Sequence, residues 1–278
     1  MHGSLTFVGW GDKVVLDMGS SRADRTVDVR WWSRPAPVLV MLAAAVGWVT
    51  VVVVSHSMGT MSGTMGLSLV AFCAVWLVMM TAMMLPGVAP FASFYSRTFT
   101  TRRERRLFVF ACGYLFVWAL TGVPAFGLAW LADRMVTHHA TVATALAVSA
   151  FVVCGVYQLT GLKDRCLAQC RSPLGFTLKY STYQGAGRDL RAGMVHGGFC
   201  LGCCWALMLV LFAFGLMNVL AIIAVASVVL VEKSHRWGVP IAKTVGVAAI
   251  VFAMVVAINP AFATGLHQVP SNMTNGTM

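Results

Sequence analysis

The stretch GMVHGGFCLGCCWALMLVLFAFGLMNVLAIIAVASVVLV, residues 193–231, contains no Asp, Glu, Lys or Arg. A helix crosses the hydrocarbon of a bilayer with roughly 20 apolar residues, so this tract is too long for one crossing and too apolar for a soluble surface. Its one turn-like break is Gly215-Leu216-Met217-Asn218, which predicts a tight helical hairpin. The arms are 195–214 and 217–232; the second is short, and either crosses or re-enters. Working outward, further apolar runs lie near 37–54, 67–90, 107–131, 141–161 and 240–258. The fold class predicted is all-α, a polytopic transmembrane helix bundle of about seven spans. Residues 1–36 read as a cytoplasmic N-terminal tail, 37–258 as the bundle and 259–278 as an outer C-terminal tail.

Composition points the same way. Of 278 residues, 59% are hydrophobic and 10% charged, with mean hydropathy +0.80; a soluble domain averages about 25% charged. The net charge of +11 is unevenly placed. With the N-terminus inside, 19 of the 20 basic residues fall on cytoplasmic segments and only Arg134 falls outside. That asymmetry sets orientation, and it places the C-terminus outside. The basic balance therefore reports membrane orientation rather than nucleic-acid binding, and the cluster Arg102, Arg103, Arg105 and Arg106 reads as an anchor beside anionic membrane lipid. Residues 1–36 are too polar for a secretory signal, and the first span reads as an uncleaved anchor.

The chemistry concentrates in the opening tract. His196, Cys200, Cys203 and Cys204 are offset by i, i+4, i+7 and i+8, which places them on one helix face within an arc of roughly 100°. Cys166 and Cys170 form a second pair at i, i+4. Both groups fall near the cytoplasmic face, where thiols stay reduced and available to metal. Thiolates and thioethers favour Cu(I), with zinc the alternative. The plainer reading of a cysteine in a helix is a small hydrophobe. It suffices for Cys73, Cys112 and Cys154, each alone in a span, and it fits less well where three thiols and a histidine share a face. Gly193, Gly197, Gly198 and Gly202 allow close helix contact as well. The predicted site brings His196, Cys200 and Cys203 or Cys204 against Cys166 and Cys170.

Methionine is the second soft donor. Met79, Met80 and Met83 share an arc with Trp76, as core filler or as a thioether path for Cu(I). The uncharged outer loop 55–66 carries His56, Met58, Met61 and Met65, either a capture site for Cu(I) or a flexible linker. His138, His139, His267, Met273 and Met278 read as surface or tail residues. Tyr114, Trp118, Tyr157 and Gln158 place polar tips inside apolar spans, where interhelical hydrogen bonds are their expected use. Glu232 and Lys233 close the sixth span, pairing with a neighbour or marking the interface. No nucleophile elbow, zinc-protease, P-loop or dinucleotide motif is present, so no enzymatic activity is expected.

Several strings resemble one bacterial family, the predicted metal-binding integral membrane proteins, often described as copper-chaperone-like. They are Trp76-x-x-Met79-Met80-x-Ala82-Met83-Met84-x-Pro86, Gly113-Tyr114-x-x-x-Trp118, Gly155-x-Tyr157-Gln158-x-Thr160-x-x-Lys163-x-x-Cys166-x-x-x-Cys170-Arg171-x-Pro173, and His196-Gly197-x-x-Cys200-x-Gly202-Cys203-Cys204-Trp205-x-Leu207-Met208, with Gly215-x-Met217-Asn218 and Glu232-Lys233. The resemblance covers roughly residues 67–233 and implies metal binding. The function expected is Cu(I) handling in the bacterial inner membrane, by delivery to a copper-dependent membrane enzyme or as its accessory subunit. The alternatives are a transmembrane thiol–disulfide electron carrier and a purely structural subunit of a membrane complex.

Overall fold

The computed structural model describes residues 35–58, 63–97, 102–136, 140–172, 175, 183, 185, 187–262 and 265. Among them every regular element is helical: α1 Pro35–Met58, α2 Leu69–Arg97, α3 Arg103–Val136, α4 Ala140–Gln158, α5 Gly161–Arg171, α6 Arg188–Phe214, α7 Val219–Ser234 and α8 Gly238–Ile258, then a 3-10 turn Pro260–Phe262. The chain is an all-α polytopic bundle. Six helices, α1 to α4 with α6 and α8, are long and apolar enough to cross a membrane. α7 has 16 residues and rises about 24 Å. The tail 1–34, Met61, His138, His139, His267, Met273 and Met278 lie outside the described residues, and of Met58 only the backbone is described.

The predicted break at 215–218 is a turn. Gly215 has φ 94°, a left-handed conformation that glycine adopts without a Cβ clash. Asn218 then caps α7: its side-chain oxygen accepts from Ala221 N at 3.2 Å, and its amide donates to the Phe214 carbonyl at 3.3 Å. α7 returns alongside α6, so that its last turn lies level with the middle of α6. Lipid-facing surfaces are apolar. α1 exposes Leu39, Leu42, Val46, Val49 and Val53, spaced by three or four residues along one face.

α3 and α6 cross at close range. A β-carbon added at Gly113 would collide with the Leu190 carbonyl, and one at Gly193 with the Phe110 carbonyl. Small residues at such points let two backbones touch. Beyond the crossing, Arg106 donates twice to Asp189, at 3.0 and 3.1 Å.

The bundle is stepped. The end of α4, the start of α5, the end of α7 and the start of α8 meet at one level. There Gln158 and Lys163 bond Glu232, Arg171 donates to the His235 carbonyl at 2.6 Å, and Gly238 packs on the Glu232 carbonyl. α6 continues past this level through Arg188–Phe199, about 18 Å of helix. α2 and α3 accompany it, with Phe91 and Phe110 against His196. α5 lies across the step, against α6 and the end of α7.

Two outcomes are expected. Gly193→Leu forces α3 and α6 apart and lowers thermal stability by about 1–3 kcal/mol, the usual cost of overpacking; a detergent melt matching the parent would contradict the crossing. Epitope tags on both termini, probed on spheroplasts, should report the C-terminal tag before permeabilisation and the N-terminal tag only after it. The reverse pattern would refute the orientation read from the basic residues.

Candidate metal centre

The soft side chains meet at the step, around the middle of α6. Cys200, Cys203 and Cys204 are all buried, and none of the eight cysteines of the chain is in a disulfide. The Cys203 and Cys204 thiols both donate to the Cys200 carbonyl oxygen, at 3.1 and 2.9 Å. From that shared anchor each sulfur also meets one on another helix. Cys203 Sγ lies 3.9 Å from Cys170 Sγ on α5. Cys204 Sγ lies 3.9 Å from Met84 Sδ on α2. Cys200 Sγ lies 2.9 Å from the Tyr114 hydroxyl on α3 and 2.9 Å from Lys233 Nζ on α7. The same ammonium is 3.9 Å from Met84 Sδ.

The Cys203 side chain also neighbours those of Cys200 and Cys204, so the α6 sulfurs form one cluster. Cys203 meets Cys170 as the spacing predicts. Cys166 packs on the neighbouring Gly202, where an added β-carbon would come within 2.8 Å of Cys166 Sγ. Cys200 and Cys204 also reach groups on α2, α3 and α7. His196, one turn earlier, stacks on Phe91 with ring centroids 4.5 Å apart, and both Phe110 and Tyr114 have centroids 5.9 Å from it. Met79, Met80 and Met83 are buried in the core. The methionine that reaches the sulfur cluster is Met84, outside the set the Trp76 arc picks out. Met65 is buried, with φ 57°, and His56 is exposed.

A second layer of polar groups fixes these positions. Glu232, 1% exposed, accepts from Lys163 Nζ at 2.7 Å and from Gln158 Nε2 at 2.8 Å. The Tyr157 hydroxyl donates to the Gly202 carbonyl. Tyr114, Tyr157 and Gln158 thus make the interhelical bonds expected of them, whereas the buried Trp118 indole N–H has no partner among the described residues. Lys163, read from sequence as one more basic residue of a cytoplasmic segment, is fully buried.

Two metal–thiolate bonds of about 2.3 Å hold their sulfurs about 3.8 Å apart in a tetrahedral shell and about 4.6 Å apart when linear. The Cys170–Cys203 separation lies within that span, as does Cys204–Met84. Among the described residues, no three His, Cys, Asp or Glu side chains form a ready ligand set; the donors come as two soft pairs flanking Cys200. Thiolate and thioether together suit Cu(I). On α5 the hydrogen bond with Cys203, and then burial, hold the Cys170 thiol well above its ordinary range, and burial pushes the Cys166 thiol up. Both keep their protons at neutral pH, so a metal taken by them releases protons and binds more tightly as pH rises.

None of the curated proteins and none of the solved structures matches the chain. A family model described as PpoB2, copper chaperone, matches residues 73–256, a segment that contains every thiol of this centre along with Met84, Tyr114, His196 and Lys233. The match covers more than half of the sequence, and the chain belongs to the PpoB2 copper chaperone family.

Proposed function

We propose that the protein carries Cu(I) as cargo on the sulfur cluster of α6 and passes it to a copper-dependent membrane enzyme, as metallation factor or accessory subunit. The observation that carries this reading is the pair of soft contacts, Cys170–Cys203 and Cys204–Met84, each 3.9 Å, on two sides of one turn of α6. Family membership supports copper, and the donor chemistry supports the cuprous state: a thioether beside thiols is a poorer match to zinc, whose structural sites are closed four-ligand shells of Cys and His. The proposed ligands are Cys170, Cys200, Cys203, Cys204 and Met84, with Cys166 next to them at Gly202 and His196 one turn away as a supporting group. The setting is the bacterial inner membrane, N-terminus inside. Met58, Met61 and Met65 of the outer loop capture the ion on the opposite face, where thioethers resist oxidation better than thiols, and Met79, Met80 and Met83 offer exchange sites within the core.

Elemental analysis of protein purified without added metal or chelator should find copper, and Cys170→Ser with Cys203→Ser should weaken its retention about tenfold or more, since even outer-shell changes at metal sites reach that scale. Zinc in place of copper, or unchanged retention in the double variant, would overturn the assignment. Replacing Met58, Met61 and Met65 together with Leu keeps bulk and removes sulfur. Copper per molecule of the partner enzyme should fall in that strain while the partner's abundance holds. Unchanged partner copper would make the loop a linker; loss of the partner itself would favour a structural subunit.

A further inference from the structure

Lys233 is the unusual member of the cluster. It is 9% exposed, and its hydrogen-bond partners are two sulfurs, Cys200 Sγ at 2.9 Å and Met84 Sδ at 3.9 Å. The carboxylate next to it in sequence is engaged elsewhere: Glu232 faces α4 and α5, bound to Gln158 and Lys163. Cys200 differs in turn from its neighbours. The Cys203 and Cys204 thiols donate to a carbonyl, whereas the Cys200 sulfur receives the Lys233 ammonium and faces the Tyr114 hydroxyl. The ammonium thus stands between Cys200 and Met84, and Cys204 Sγ lies 3.9 Å from the same Met84 sulfur. Those are the donors a cuprous ion would take. The lysine stem passes over Gly87, where an added β-carbon would sit 3.3 Å from its Cδ, so the backbone of α2 leaves room for it.

We propose that the Lys233 ammonium is a placeholder for the cargo ion: it compensates the Cys200 sulfur in the empty centre, withdraws when Cu(I) binds there, and returns as the ion leaves. The inference rests on the copper reading above and adds the device that makes release easy. Loading exchanges one monocation for another at a single sulfur. Cys200, a thiolate where it accepts from the ammonium, loses the S⁻···H–N⁺ contact as the Cu–S bond forms, and lysine keeps its proton; on hand-over the acceptor's sulfur takes the ion and the ammonium contact re-forms. No electron is transferred and copper remains Cu(I) throughout. Without the ammonium, departure of Cu(I) would strand an uncompensated sulfur in a low-dielectric site, and a buried unpaired charge is costly.

The test loads wild type, Lys233→Leu and Lys233→Arg with Cu(I) and follows transfer to a water-soluble Cu(I) chelator. Lys233→Leu should release copper roughly tenfold more slowly, the scale of one charge-assisted hydrogen bond, and Lys233→Arg, which keeps the charge, should stay close to wild type. A purely structural lysine would not give this split between loss of charge and its retention. A second readout needs only the wild-type chain: acylation of Lys233 by a membrane-permeant amine reagent, followed by mass spectrometry, should rise on loading. Copper bound to wild type with unchanged release from Lys233→Leu, or with equal Lys233 labelling before and after loading, would overturn the inference and leave the copper reading intact. Wild type that takes no copper would overturn both.

Discussion

The Glu232 carboxylate is the constraint on which the centre depends. A buried carboxylate holds its charge only where both oxygens are satisfied, and here Lys163 takes one and Gln158 the other. This fixes the rotation of α7 about its own axis, because Glu232 must face α4 and α5. The next residue is turned about 100°, so Lys233 faces α2, α3 and α6. The ammonium's sulfur partners follow from where the neighbouring carboxylate is held. Removing one partner of such a pair typically costs about 3–5 kcal/mol, comparable with the whole stability of a modest domain.

The second constraint is the glycine contact of α3 with α6. Gly113 and Gly193 bring the two backbones together, and this closeness lets the hydroxyl of the adjacent Tyr114 reach Cys200, about two turns along α6 from Gly193. The Arg106–Asp189 pair beyond the crossing is more open, with side chains 17% and 12% exposed, and contributes less per contact than the buried Lys163–Glu232 pair loses when broken. Backbone packing on one side and a satisfied ion pair on the other therefore hold the sulfurs, with no disulfide needed.

Much of the fold is legible in the sequence because membrane solvation is an uncompromising filter. The charge-free tract with its Gly215–Asn218 break reads directly as two antiparallel helices. Segments distant in sequence do meet: Arg106 bonds Asp189, and Lys243 lies 3.9 Å from Asp164. The site is legible in part. An arc of roughly 100° shared by four side chains is wide enough to address two faces, and Cys203 and Cys204 use it that way. Met84 is hidden because α2 is apolar nearly all round, so pattern does not say which of its methionines turns toward α6. The burial of Lys163 is hidden because a lysine in a basic segment reads as solvated until its acidic partner, 69 residues away, is placed beside it.

The step in the bundle bears on the surrounding lipid. α3 is 34 residues long, whereas α7 has 16, and α7 turns Leu220, Ile223, Leu230 and Val231 outward. A bilayer about 30 Å thick in its hydrocarbon can match the apolar length of α3, but it overruns the roughly 24 Å of α7. A bilayer matched to that shorter length would have to thin on this flank, at a cost of fractions of a kcal/mol per Å of mismatch. That flank is the one where Glu232 and Lys233 end their helix, beside the sulfur cluster.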